Sequence, residues 1–156
     1  MDDLAIARAV HVAAVVIWIG GVAMVTTILL PIARKFSGGA TLFEAAERRF
    51  TVQARITTLL AGATGFYMVW RLSLWDRFYL VEFWWMHAMV AVWALFTGVL
   101  FAAEPLLLDR WYQQRVATDP GGTLAFLQRF HWLMLAIGII TILGAVAGSH
   151  GLLFFG

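Results

Sequence analysis

Residues 4–33 read LAIARAVHVAAVVIWIGGVAMVTTILLPIA, and only Arg8 and His11 within them carry ionisable side chains. About 20 apolar residues are enough for a helix to cross the ~30 Å hydrocarbon layer of a bilayer. This stretch exceeds that length and predicts a transmembrane helix. It begins Asp2-Asp3 rather than with a basic leader, and its apolar run is longer than a signal peptide's, so we read it as a helix of the mature protein.

The rest of the chain follows the same pattern. It is 62% hydrophobic and 13% charged, with a mean hydropathy of +0.84. A soluble domain carries roughly 25% charged residues, so this composition cannot clothe a water-facing surface. The expected fold class is all-α: one integral membrane four-helix bundle over residues 1–156, with spans near 4–33, 56–74, 83–103 and 131–155. Nothing points to nucleic acid as a partner. Membrane lipid is the expected surrounding, and a homo-oligomer is left open. The chain has no cysteine, which removes disulfides, thiolate metal sites and iron–sulfur ligation.

Charge placement predicts the orientation. Arg34, Lys35, Arg48, Arg49 and Arg55 lie between the first two spans, and Arg110, Arg115 and Arg129 lie between the last two. Only Arg8, Arg71 and Arg77 fall on the other side. Basic loops stay cytoplasmic, so both termini are expected on the extracytoplasmic side of a multi-pass plasma (inner) membrane protein.

Local signals divide the chain further. Pro31 is expected to close the first span, and Ser37-Gly38-Gly39 to turn the chain. Thr41 and Glu44 have capping-box spacing. A helix should start there and run unbroken into the second span, about 50 Å in all. Its Phe43, Ala46, Phe50 and Ala54 would form an apolar stripe against lipid headgroups. Glu104-Pro105 should end the third span, with an interfacial helix following over 106–116. Asp119-Pro120-Gly121-Gly122 reads as a turn, with a helix from Thr123 merging into the fourth span. Gly20-Gly21, Ala61/Gly65 and Gly144/Gly148 are expected at close helix contacts.

The chemistry rests on histidine. Counted at ~1.5 Å per residue from the outer surface, His11 is about 10 Å deep, His87 about 7 Å and His150 about 9 Å. Imidazoles inside hydrocarbon are costly and usually functional. Neutral imidazole ligates haem iron, copper and zinc. Two on opposite helices would clamp a haem, and three at one level would hold copper. Arg8 and Arg71, on the same outer side, are candidates to pair with haem propionates through the guanidinium fork. Arg77 is read as a headgroup contact, and His131 as interfacial. Met86 and Met89 are read as core filler, and Glu82 and Glu104 as span-end residues that snorkel.

His11-Val-Ala-Ala-Val-Val-Ile-Trp18-Ile-Gly20-Gly21 resembles the first span of two related groups, the copper resistance protein D family and the HemJ-type protoporphyrinogen oxidases. Glu47-Arg48-Arg49-Phe50 is similar to an acidic-Arg-Arg-aromatic stretch in those families, and Trp85-Met86-His87-Ala88-Met89 to the HemJ-type Trp-Leu-His-Val-Lys. Arg129-Phe130 also fits. The lysine of that pattern is Met89 here, and His150 has no counterpart in it. The resemblance covers the order and length of all four spans. It implies haem b with His11 as a ligand and, for the HemJ-type branch, oxidation of protoporphyrinogen. The expectation is a membrane haem b protein with a redox role, in electron transfer or in oxidation of a quinol or porphyrinogen. If it is an enzyme, it is an oxidoreductase. The alternative is a copper-binding or copper-transport protein using His11, His87 and His150.

Overall fold

The computed structural model describes residues 2–152, and all the regular structure within them is helical. Four long helices dominate. We number them α1 (Asp2–Ala33), α2 (Gly39–Arg71), α3 (Val81–Thr118) and α4 (Pro120–Ser149). A short 3₁₀ segment, Leu74–Tyr79, links α2 to α3. The end of the expected fourth span, residues 153–155, lies outside the described residues.

Three helices, α1, α3 and α4, are long and apolar enough to cross a membrane. Helix α2 has the length but not the apolarity. Thr57, Thr58, Thr64 and Tyr67 dilute its central stretch, and Arg55 and Arg71 bracket it. The main packing runs α1 on α2, α2 on α3, α3 on α4 and α4 back on α1.

Large side chains cover much of the outside: Val16, Ile140 and Leu143 are each more than half exposed. Apolar surface on that scale needs a partner other than water. The interior holds two clusters. Trp18, Val22, Ala61, Phe96, Met134 and Leu135 belong to one. Val25, Leu30, Phe43, Tyr112 and Leu124 belong to the other, toward the end with the basic loops.

The first span closes near Pro31 as expected, with α1 ending at Ala33, whereas Pro105 lies inside a continuous α3. Helix α1 passes Pro31 after a π-helical turn over Val25–Leu29, and α3 carries Pro105 within a longer π stretch, Val99–Leu108. A proline removes one backbone donor, and a wider turn absorbs the missing bond. In α1, Thr26 and Thr27 donate to the carbonyls of Val22 and Ala23 at 2.6 and 2.7 Å just before the proline. Packing holds the helix on both sides of it, since Leu30 is 0% exposed and Ala33 1%. The separate interfacial helix expected over 106–116 is therefore the end of α3.

Helix α2 is unbroken, as its sequence suggests, but it begins at Gly39 rather than beyond Thr41. The residue before it, Gly38, has φ +84°, and no side chain caps the helix. The Thr41–Glu44 capping box is not used. Glycine is required twice in this turn: Gly38 for its left-handed backbone, and Gly39 because a Cβ there would collide with the Ala33 carbonyl. The apolar stripe also differs from expectation. Phe43 and Ala54 are buried within the protein, so the extension packs on α1, α3 and α4 instead of resting on headgroups. Helix α4 starts at Pro120, where the Asp119 side chain accepts from the Gly122 amide at 2.8 Å.

The glycine contacts are mostly made by tryptophan. A Cβ at Gly144 or Gly148 would overlap the indoles of Trp84 and Trp85, and one at Gly62 would overlap Trp93. Gly65 faces His11, and Gly20 faces open space.

Candidate functional site

His11 lies between α1 and α2, half-buried. Its Nδ1 is 2.9 Å from the Ala61 carbonyl and 3.1 Å from Thr64 Oγ1. Small residues on α2 make the room: Ala61 is buried, and a Cβ on Gly65 would sit 3.2 Å from the imidazole Cε1. A carbonyl accepts only from a protonated nitrogen, so Nδ1 carries the hydrogen and Nε2 keeps its lone pair. That is how ligating histidines are commonly held.

The other two histidines have different surroundings. His87 is exposed at the start of α3, its Nε2 donating to the Phe78 carbonyl at 2.9 Å, its ring edge-on to Phe78. It secures the 3₁₀ segment. His150 is exposed at the end of α4, its Nδ1 2.8 Å from the Val146 carbonyl of its own helix. Among the described residues, no group of three or more His, Cys, Asp or Glu side chains is placed to hold a metal ion. Equal depth along separate helices does not imply convergence, because depth ignores which way each helix faces.

Of the two arginines, Arg8 is exposed. Arg71 donates through Nε and Nη2 to Asp3 Oδ2 at 3.2 and 3.1 Å, and Tyr67 donates to the same oxygen at 2.8 Å. This polar knot ties the start of α1 to the end of α2 on the His11 side. Its sequence signal is weak, because Asp3 and Arg71 lie far apart in the chain with nothing to mark them as neighbours. Arg77 stacks over Phe83, 4.8 Å from the ring centroid.

A second feature was missed from sequence. A cavity of about 360 Å³ opens among all four helices toward the basic-loop end. Its wall includes Trp18, Glu47, Phe96, Glu104, Asp109 and His131. His131 is half-buried there, with Nδ1 2.9 Å from the Leu127 carbonyl. Arg55 reaches Glu104 at 3.7 Å, and Arg48 pairs with Glu44 at 2.9 Å. Glu47 has neither an ion pair nor a hydrogen bond among the described residues. Burial pushes its carboxyl up to about 7, with help from the neighbouring carboxylates of Glu104, Asp109 and Glu44. Glu47, Arg48 and Phe50 line this cavity together. The spacing of Glu47 from Glu104 and His131 in sequence gave no hint that they share one wall.

No family model matches this chain, and neither a curated protein nor a solved structure does.

Proposed function

We propose that the chain is a four-span integral protein of the plasma (inner) membrane that holds haem b and has a redox role. Helix α2 is the fourth span, joined to α1 along its length, and both termini are extracytoplasmic. Support for the membrane reading comes from three apolar helices and their exposed aliphatic surfaces. Support for the orientation comes from the basic residues gathered at one end.

The observation that carries the haem is the setting of His11. Its protonated Nδ1 is anchored to Ala61, and its Nε2 is available to ligate iron. A haem bound there would supply one-electron transfer. His11 would hold the iron, and Arg8 at the same end would offer a guanidinium to a propionate. His87 or His150 would serve as a second ligand only after leaving its present contact with the Phe78 or Val146 carbonyl. The reaction is electron transfer, or oxidation of a small reduced substrate such as a quinol or porphyrinogen.

The test is the visible spectrum of the purified protein, repeated on His11→Ala, His87→Ala and His150→Ala. A Soret band that is lost in His11→Ala supports the proposal, and a shifted band in one of the others identifies the second ligand. A colourless protein that stays colourless after incubation with haemin overturns it. Bound copper in elemental analysis, with no Soret band, would favour copper handling instead.

A further inference from the structure

We propose that a pocket between the end of α1 and the start of α4 binds the phosphate of an anionic lipid headgroup. The site rests on the membrane reading above and not on the haem.

The pocket has a volume of about 290 Å³ and is lined by Arg34, Ala125, Gln128, Arg129 and Trp132. Arg34 directly follows the last residue of α1. The other four share one face of α4, because their spacing of three and four residues is helical. Two arginines therefore line one recess that has no carboxylate in its wall. Acidic residues at this end pair elsewhere, Glu44 with Arg48 and Glu104 with Arg55. Neither Arg34 nor Arg129 has an ion pair among the described residues. Like charges gathered in one recess repel, and an anion between them removes the repulsion.

The recess is also shaped for a forked contact. Arg34 donates through Nη1 to Gln128 Oε1 at 2.6 Å, which holds its side chain across the seam between the two helices. A guanidinium has five N–H donors, so most remain for a ligand. Planar forks of this kind match phosphate oxygens.

The rest of the α4 face makes the phosphate a lipid's. Trp132, Ala136, Ile139 and Leu143 continue from the pocket at helical spacing, and all four are exposed. That stripe leads from the basic-loop end into the apolar length of a helix long enough to cross a bilayer. A headgroup in the pocket would lay its acyl chain along it. Trp132, 50% exposed, stands at the join, the level at which indoles settle in a membrane. The cytoplasmic leaflet is rich in anionic lipids, and basic pockets between helices on that side recognise their headgroups. A soluble phosphate ester would leave the apolar stripe unused.

The test is native mass spectrometry of the detergent-purified full chain, titrated with dioleoylphosphatidylglycerol or zwitterionic dioleoylphosphatidylcholine. Saturable binding of the anionic lipid is expected, with weaker binding of the zwitterionic one. Each basic group beside an anionic headgroup is worth a factor of about five, so Arg34→Gln with Arg129→Gln should weaken phosphatidylglycerol about 25-fold. Arg49→Gln with Arg110→Gln removes the same charge from exposed positions outside the pocket. That control should stay within about twofold of the parent in ~0.15 M ammonium acetate, where surface charges are screened. Both pocket arginines are exposed, so their loss should not unfold the chain, and the single variants repeat the test if the double variant does not fold. Excess glycerol phosphate should not displace the lipid. The proposal is overturned by equal affinity for the two lipids, by unchanged affinity in the pocket variant, by an equal loss in the control, or by displacement with glycerol phosphate, which would assign the site to a soluble ester. Retention of the chain in membranes washed with alkaline carbonate reads the membrane placement separately. A retained protein without headgroup preference removes this site alone, and a released one overturns the placement and the site together.

Discussion

Truncating Phe43 to alanine should be the most damaging single change at the basic-loop end. Phe43 is 0% exposed and packs with Val25, Leu30, Tyr112 and Leu124, which come from three other helices. Its ring lies 6.2 Å from that of Tyr112, whose hydroxyl donates to the Ala40 carbonyl at 3.3 Å. Loss of the buried ring forfeits about 1.5–3 kcal/mol of transfer free energy. The void adds to that, because four helices fixed by their other contacts cannot close around it, and the total becomes about 3–5 kcal/mol. Phe36 is 65% exposed, so Phe36→Ala should stay within about 0.5 kcal/mol of the parent. Unfolding in mixed micelles, followed by tryptophan fluorescence against a rising SDS fraction, gives both values. If Phe43→Ala and Phe36→Ala unfold within about 1 kcal/mol of each other, α2 is not packed on the other helices at this end, and the cavity described above loses its floor.

Other outcomes are equally specific. Gly148→Leu should disrupt the α3–α4 contact, because Trp85 occupies the space a side chain would need, whereas Gly20→Leu should be tolerated; paired thermal melts separate them. His87→Ala removes the bond to the Phe78 carbonyl and should raise hydrogen exchange and tryptic cleavage around Arg77, with little change elsewhere. The folded protein holds the Glu47 proton more tightly than the unfolded chain, so stability falls as pH rises from 4.5 to about 7. Glu47→Gln should flatten that part of the stability–pH curve, and an unchanged slope would mean the carboxyl is solvated. Arg71→Ala should leave the stability read in the same SDS titration close to the parent's, since its pair with Asp3 is exposed.

Helix content and membrane character were legible in composition and hydropathy, because each residue's preference for hydrocarbon is additive along the chain and needs no partner. The unbroken length of α2 was legible for a similar reason: nothing between Leu42 and Arg71 interrupts it. Pro31 marks the close of α1 as the sequence predicts, but Pro105 does not end α3, because a missing donor ends a helix only where the surroundings allow, and a widened turn over Val99–Leu108 carries the chain through. The unused capping box beside Gly38 follows the same logic, since a left-handed glycine can start a helix without help from a side chain.

The histidines mark the boundary most clearly. Sequence alone placed His11 in the first apolar helix at a chosen depth, since rise per residue is constant. Its tautomer was decided only when α2 brought the Ala61 carbonyl to its Nδ1. The outward setting of His87 and His150, and the meeting of Glu47, Glu104, His131 and Trp18 on one wall, depend on helix rotation and pairing. Those are fixed by contacts between residues far apart in the chain, such as Trp85 against Gly148, and so only the tertiary structure could decide them.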